Sequence, residues 1–311
     1  MSPEESHFLS DIEAEPDNLD RRLVYADWLE ERSDPRGEFI QIWHEMHSDS
    51  LKPWTERYLE LFRRRQVLRP DIDEDWLTRL GYFHQHSPLF TEQPPDRAAF
   101  WRLLEMFLAV WDRPLDEADR YSNSEVQDAE QRLGMEFPDA LREWYSHSGR
   151  AALWQQGDMP LLAPQDTSIN SEHGDLKFID GKVPEALRVD ECSQDDPPVY
   201  WITGPSISYM TTAPSVTQFV LGRAWAIILN GDTGCSTWRA NLEHPISMTD
   251  FAIKTTALES EIQMEHGENQ DLLVRQLPMA GRYSVNVAAL SGAAADSIVS
   301  QLPTTEYRPA D

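Results

Sequence analysis

The chain has 311 residues, with 54 acidic against 27 basic side chains and a net charge of −27. Hydrophobic residues make up 40%, enough to build cores in about two domains. The acid excess repels phosphate, which argues against nucleic acid and anionic membranes, and it suits a basic protein partner.

No apolar run reaches the roughly 18 residues that a membrane span needs. Residues 1–20 are acidic, without the apolar stretch of a secretory signal, so a cytoplasmic protein is expected. Cys192 and Cys235 are the only cysteines, and they lie outside any CxxC spacing. That excludes a disulfide framework or a thiolate-rich metal site, and both are read as reduced.

The first segment, residues 1–83, reads as all-helical. His7, Phe8, Leu9 and Ile12 predict a short helix that ends at Glu15-Pro16-Asp17-Asn18. Leu19, Leu23, Ala26 and Leu29 then recur at helical steps. Asp34-Pro35 is a cap followed by proline at the first helical position, and the helix it opens carries Phe39, Ile40, Trp43 and Met46. Further helices are predicted from Pro53 to Leu68 and from Asp73 to Leu80. Residues 84–96, with three prolines, read as a linker.

A wide apolar stripe follows, made by Phe100, Trp101, Leu104, Phe107, Leu108 and Trp111. Ser122 to Gly149 reads as two short helices joined by Gly134-Met135-Glu136-Phe137. Its second helix has only Arg142 against Asp139 and Glu143, which excludes a DNA-reading hairpin. Short apolar runs at Leu161-Leu162, Leu176–Ile179, Ala186–Val189, Val199–Ile202 and Ser206–Tyr209 predict an antiparallel sheet. Pro214 opens a helix through Ile228, a further helix is predicted over Ser247–His266, a strand over Arg282–Ala288 and a last helix over Ala293–Leu302. The fold class is therefore α+β: an all-α N-terminal module, then residues 97–270 with a central antiparallel sheet flanked by helices, then a strand-helix extension over 271–311.

Two resemblances emerge from these residues. Phe8-Leu9, Glu15-Pro16-Asp17, Arg22 through Arg32 and Asp34-Pro35-Arg36-Gly37-Glu38-Phe39-Ile40 resemble the bacterial repeat-companion domain, a module that implies no particular chemistry. Glu130 to Pro138, then Leu141-Arg142-Glu143-Trp144-Tyr145 and Ser148-Gly149, are similar to the start of the SUKH superfamily, which includes the Knr/Smi regulators. Leu176-Lys177-Phe178, Asp195 to Tyr200 and Thr217 to Leu221 fit its later elements, whereas Ile179 to Pro184 departs from its pattern. This likeness implies a binding module. Bacterial members are mostly immunity proteins that neutralise toxins, many of them nucleases, and fungal members are regulatory scaffolds.

Several chemical readings compete with binding. His44 and His47 share a helical face but lack a third metal ligand, so no metal is expected there. Asp71, Asp73 and Asp75 lack the glycine and glutamate of a calcium loop, and they read as helix-start acids. Asp232-Thr233-Gly234 occurs once, whereas an aspartic-protease site needs two carboxylates sharing a proton. Asp195 and Asp196 are adjacent and diverge, which disfavours an acid–base pair. No phosphate-binding glycine loop occurs. The expectation is a non-enzyme with no cofactor that binds a basic protein, a nuclease toxin being the leading case and an endogenous partner of a regulatory scaffold the alternative. Asp180, Asp190, Glu191, Asp195 and Asp196 are the expected partner-binding residues.

Overall fold

The computed structural model describes residues 2–16, 18–48, 50–82, 94–111, 113–155, 159–170, 174–181, 185–203, 208–229, 236–242, 253–255, 263–267, 272–279, 282–289 and 307–309. The chain divides into two compact units, with the break after Phe90.

The first unit is helical throughout its described residues: α1 (Pro3–Ala14), α2 (Leu19–Glu30), α3 (Pro35–Met46), α4 (Glu56–Leu68) and α5 (Glu74–Arg79). Each starts where a short polar side chain takes a backbone N–H that the helix leaves free. Ser2, Asn18, Asp34, Thr55 and Asp73 do this in turn. Asp73 thus serves as a helix cap. Leu9, Ile12, Tyr25, Leu29, Phe39, Ile40, Phe62 and Leu77 are among the buried side chains of these helices.

The Asp34–Phe39 stretch has a structural duty at every position. Asp34 caps α3, Pro35 takes its first turn, and Phe39 is buried. Arg36 binds Asp34 at 2.6 Å and Glu5 at 2.9 Å, so α3 is tied to α1. Tyr25 donates to the same Glu5 at 3.1 Å and accepts from the Trp76 indole at 3.2 Å. Burial pushes the Tyr25 phenol up to about 12, which keeps it a donor at any physiological pH. Glu38 reaches Arg64 of α4 at 2.6 Å. Gly37 faces α2 so closely that a Cβ would sit 2.7 Å from the Ala26 carbonyl oxygen.

The second unit begins with α6 (Arg97–Val110), capped by Asp96. All six residues of the apolar stripe read from the sequence are buried. Next comes the hairpin of α7 (Asn123–Leu133) and α8 (Asp139–Ser148). Ser122 and Glu125 form a reciprocal cap at its start, and Gly134, at φ 68°, ends α7 in the left-handed conformation. A five-stranded antiparallel sheet follows in simple sequential order: β1 (Ser168–Asn170), β2 (Asp175–Lys177), β3 (Glu185–Arg188), β4 (Val199–Thr203) and β5 (Ser208–Ala213). Leu161 is joined to Ile179 by a single bridge. Helix α9 (Val216–Leu229) follows β5.

The unit is α+β, as the sequence predicts. Trp144 of α8 lies at its centre, fully buried, with ring centroids 5.3 Å from Trp154, 6.2 Å from Phe178 and 6.1 Å from Phe219 of α9.

The remaining strands form a second antiparallel sheet: β6 (Ser236–Leu242), β7 (Ile253–Thr255), β8 (Gln263–Gly267), β9 (Leu272–Met279), β10 (Arg282–Ala289) and β11 (Tyr307–Pro309), in the order β11-β6-β10-β9-β8-β7. One expectation is corrected here. Ser247–His266 is not one helix, because β7 and β8 occupy part of it and pair with each other. β9, within the stretch read as a strand-helix extension, pairs with β8 across residue 270. The strand predicted over Arg282–Ala288 is present as β10, and the helix predicted over Ala293–Leu302 lies outside the described residues.

The close approach at Gly37 has a measurable cost. Gly37→Ala should destabilise the helical unit by about 1–3 kcal/mol, because the clash is with backbone that cannot rotate away. Urea unfolding followed by tryptophan fluorescence reads this directly. Unchanged stability would show that α2 and α3 can part freely.

Candidate functional site

The five acids expected to bind a partner lie around β2, β3 and β4, and they are engaged to different degrees. Asp196 is structural. Its carboxylate accepts from the Thr217 backbone N–H at 3.1 Å and from the Thr217 hydroxyl at 2.6 Å, so it caps the first turn of α9 from 21 residues away. Glu191 accepts from the Tyr200 hydroxyl at 2.8 Å, and only 22% of its side chain is open to solvent. The other three are presented outward. Asp180, Asp190 and Asp195 have side chains 55%, 65% and 74% exposed.

Each outward acid touches one cation. Lys177 sits 2.7 Å from Asp180 and holds its carboxyl below the usual range. Arg188 sits 2.5 Å from Asp190. Arg97 reaches Asp195 at 3.5 Å, but its closer ties are to Glu143 at 3.0 Å and Asp139 at 3.2 Å. Glu143 also accepts from the Trp101 indole at 2.8 Å, which binds α6 to α8. The Asp195 backbone carbonyl takes the Ala140 N–H at 2.9 Å, anchoring the turn before β4 on the start of α8. Exposed pairs of this kind contribute little to stability, which leaves these acids free to exchange partners.

Asp180 also borders a concavity of about 530 Å³ with Glu125, Asp166, Tyr121, Arg150 and Leu161. Arg150 lies 4.5 Å from the Tyr121 ring and pairs with Glu125. A second hollow of about 720 Å³ lies between α7 and α8. There Glu130 accepts from the Phe137 N–H and from Arg142, both at 2.7 Å, so its charge is already answered.

The chemical alternatives raised by the sequence fare differently. Asp195 and Asp196 turn to separate partners and share no substrate-sized position. His47 Nδ1 lies 2.7 Å from the Trp43 carbonyl and His44 Nε2 lies 3.3 Å from the Tyr82 hydroxyl, so the two rings serve different neighbours. Burial takes His44 down to about 4, leaving it neutral. No group of three or more His, Cys, Asp or Glu among the described residues is placed to hold a metal ion. Cys192 is a buried free thiol pushed up to about 12, which rules out a reactive thiolate there. Asp232 and Cys235 lie outside the described residues. Among the described residues no helix is long and apolar enough to cross a membrane.

One titratable pair was not legible in the sequence. Glu185 on β3 and Arg223 on α9 face each other at 3.9 Å, with side chains only 5% and 10% exposed. Arg223 donates to the Met159 carbonyl, while Glu185 Oε2 and Arg223 Nε are buried without hydrogen-bond partners. Burial, only partly offset by Arg223, pushes Glu185 up to about 7. No local pattern marks such a pair, because it forms only when α9 closes on the sheet.

Compared with protein-family models, curated proteins and solved structures, the chain matches none.

Two outcomes follow for stability. Asp196→Ala should cost about 1–2 kcal/mol by removing the α9 cap, and Asp196→Asn, which keeps an acceptor, should cost less. Thermal melts of both variants give the ranking, and equal losses would show that the cap is not the cause. The Glu185 carboxyl binds its proton more tightly folded than unfolded, so the group opposes folding as pH rises from its ordinary 4.5 to about 7. Relative to the natural chain, Glu185→Gln should gain on the order of 3 kcal/mol between those limits. Parallel unfolding curves of the two proteins against pH would refute this.

Proposed function

We propose that the chain is a non-catalytic protein-binding molecule: a cytoplasmic immunity protein that neutralises a basic toxin, such as a nuclease, through acids on its α+β unit. The observation that carries the reading is the exposure of Asp180, Asp190 and Asp195 around one set of strands. They belong to a chain whose net charge is −27. A nuclease needs a cationic cleft to hold phosphate, and clustered carboxylates that can exchange partners complement such a cleft. The resemblance of Glu130–Gly149 to the SUKH superfamily supports the same reading and implies a SUKH-like arrangement of the α+β unit. The helical unit is read as a repeat-companion module on its Arg22–Ile40 likeness, with no chemistry of its own.

Two further points favour binding over turnover. The outward acids engage cations one by one and converge on no common position, unlike a catalytic dyad. The concavity beside Asp180 is also lined by Glu125 and Asp166, carboxylates that suit a basic side chain of a partner.

The test uses the full chain against a panel of basic bacterial nuclease toxins. The expected result is a complex in which one nuclease loses activity, with association slowing as salt rises. Replacing Asp180, Asp190 and Asp195 by lysine should slow association about tenfold or more at low salt, with the melting temperature nearly unchanged. A variant that associates as fast as the natural chain removes these acids from the interface. A captured partner that keeps its activity replaces neutralisation with a scaffold role.

A further inference from the structure

The Glu185–Arg223 pair sits where charge is poorly supported. Its side chains are 5% and 10% exposed and 3.9 Å apart, and Glu185 Oε2 and Arg223 Nε have no hydrogen-bond partner. The surroundings are apolar. Ala186 and Leu187, next along β3, are fully buried, and the Phe219 ring lies 5.7 Å from the guanidinium. Lys177 of β2 and Tyr200 of β4 both pair with Ala186, so they belong to the opposite face of the sheet from Glu185. Among the described residues Arg223 is the sole charge acting on Glu185.

A carboxylate gains from its charge only through donors and cations close to it. Here Oε2 accepts nothing and the guanidinium stands beyond hydrogen-bond reach, so the site suits the neutral acid better than the anion. Water is not far away. Trp201 stands directly opposite Glu185 on β4 and is 38% exposed.

The pair also ties separate pieces of the unit together. Arg223 donates to the Met159 carbonyl at 2.5 Å. The next residue, Pro160, accepts from the Asp180 N–H at 2.9 Å, and the Leu162 N–H donates to the Phe178 carbonyl at 2.8 Å. The turn at 159–162 is therefore held by α9 on one side and by the residues after β2 on the other. Pro160, Leu161 and Leu162 line the concavity that Asp180 borders.

We propose that the Glu185–Arg223 pair is a proton-controlled latch that holds α9 and the turn at 159–162 on the sheet. With a proton on Glu185 the latch is closed. When that proton passes to solvent, the carboxylate turns past Trp201 toward water, which hydrates it. Arg223 then has only a neutral carbonyl for its charge and moves outward as well, which frees Met159 and loosens the Pro160–Asp180 bond. Opening is linked to deprotonation because the carboxyl titrates at 4.5 in water and at about 7 in the closed site. The latch works between those limits and tightens as the medium turns acid. It requires no particular partner, so it can hold or fail apart from the role proposed for Asp180.

Hydrogen exchange of the full chain tests the latch, followed residue by residue by NMR from pH 5 to 8 and corrected for the intrinsic rate at each pH. The amides of α9 and of Asp180 should lose protection roughly fiftyfold over that range and level off above about pH 7, while those of α7 and α8 keep theirs. In Glu185→Gln, protection should stay high at every pH. Arg223→Gln keeps a donor for Met159 but removes the cation that favours the charged acid, so its levelling-off should move to higher pH. That shift carries the test if Glu185→Gln fails to fold. An equal loss of protection in α7 and α8 would mark a change in whole-unit stability and overturn the latch. So would pH-independent protection of α9, a Glu185→Gln profile like that of the natural chain, or an Arg223→Gln profile that levels off at the same pH.

Discussion

The aromatic packing around Trp144 is the constraint on which the α+β unit depends. Its indole is fully buried, and its ring neighbours come from three separate stretches: the turn at Trp154, Phe178 beyond β2, and Phe219 on α9. Phe178 and Phe219 also meet each other at 5.9 Å, closing the cluster. Edge-on ring contacts of this kind fix orientation as well as burial. The helical hairpin, the sheet and the last helix therefore hold one geometry, and the acids on the strand ends inherit fixed positions from it.

Polar ties then trim that geometry. Arg97 brings together Glu143, Asp139 and Asp195, with Trp101 sharing the Glu143 carboxylate. In the helical unit Arg36 plays a similar part between Asp34 and Glu5. The two arrangements differ in setting. Arg36 lies 5.5 Å from the buried Trp76 ring and pairs with a Glu5 side chain only 11% exposed, where Coulomb attraction is less screened, whereas Asp195 at the end of the Arg97 network faces water. One network serves stability and the other leaves an acid available.

Legibility from sequence followed the range of the determining interaction. The helix starts at Asp34, Asp73 and Ser122 depend on bonds spanning three residues or fewer, and the sequence shows them, whereas the cap at Thr55 lies two residues past the predicted start at Pro53. Over residues 247–266 the helix predicted from sequence gives way to strands. Cross-strand pairing of Gln263 with Gln276 and of Ile253 with Gly267 decides its form. Among the site residues, the position of Asp180, Asp190 and Asp195 near the strands was foreseen from clustering alone. That Asp196 caps a distant helix and that Glu185 meets Arg223 both depend on tertiary contacts, which one sequence does not display.

The Asp196–Thr217 bond also bears on time. Its two residues are separated by the whole of β4 and β5, so the first turn of α9 gains its cap only once that hairpin has closed. Helices ordinarily nucleate locally and quickly, whereas strand pairing is slower. Here the local element waits on the non-local one for its last bond. The folding nucleus of this unit is thereby biased toward the β4–β5 hairpin meeting α8 through the Asp195 carbonyl, with α9 consolidating afterwards.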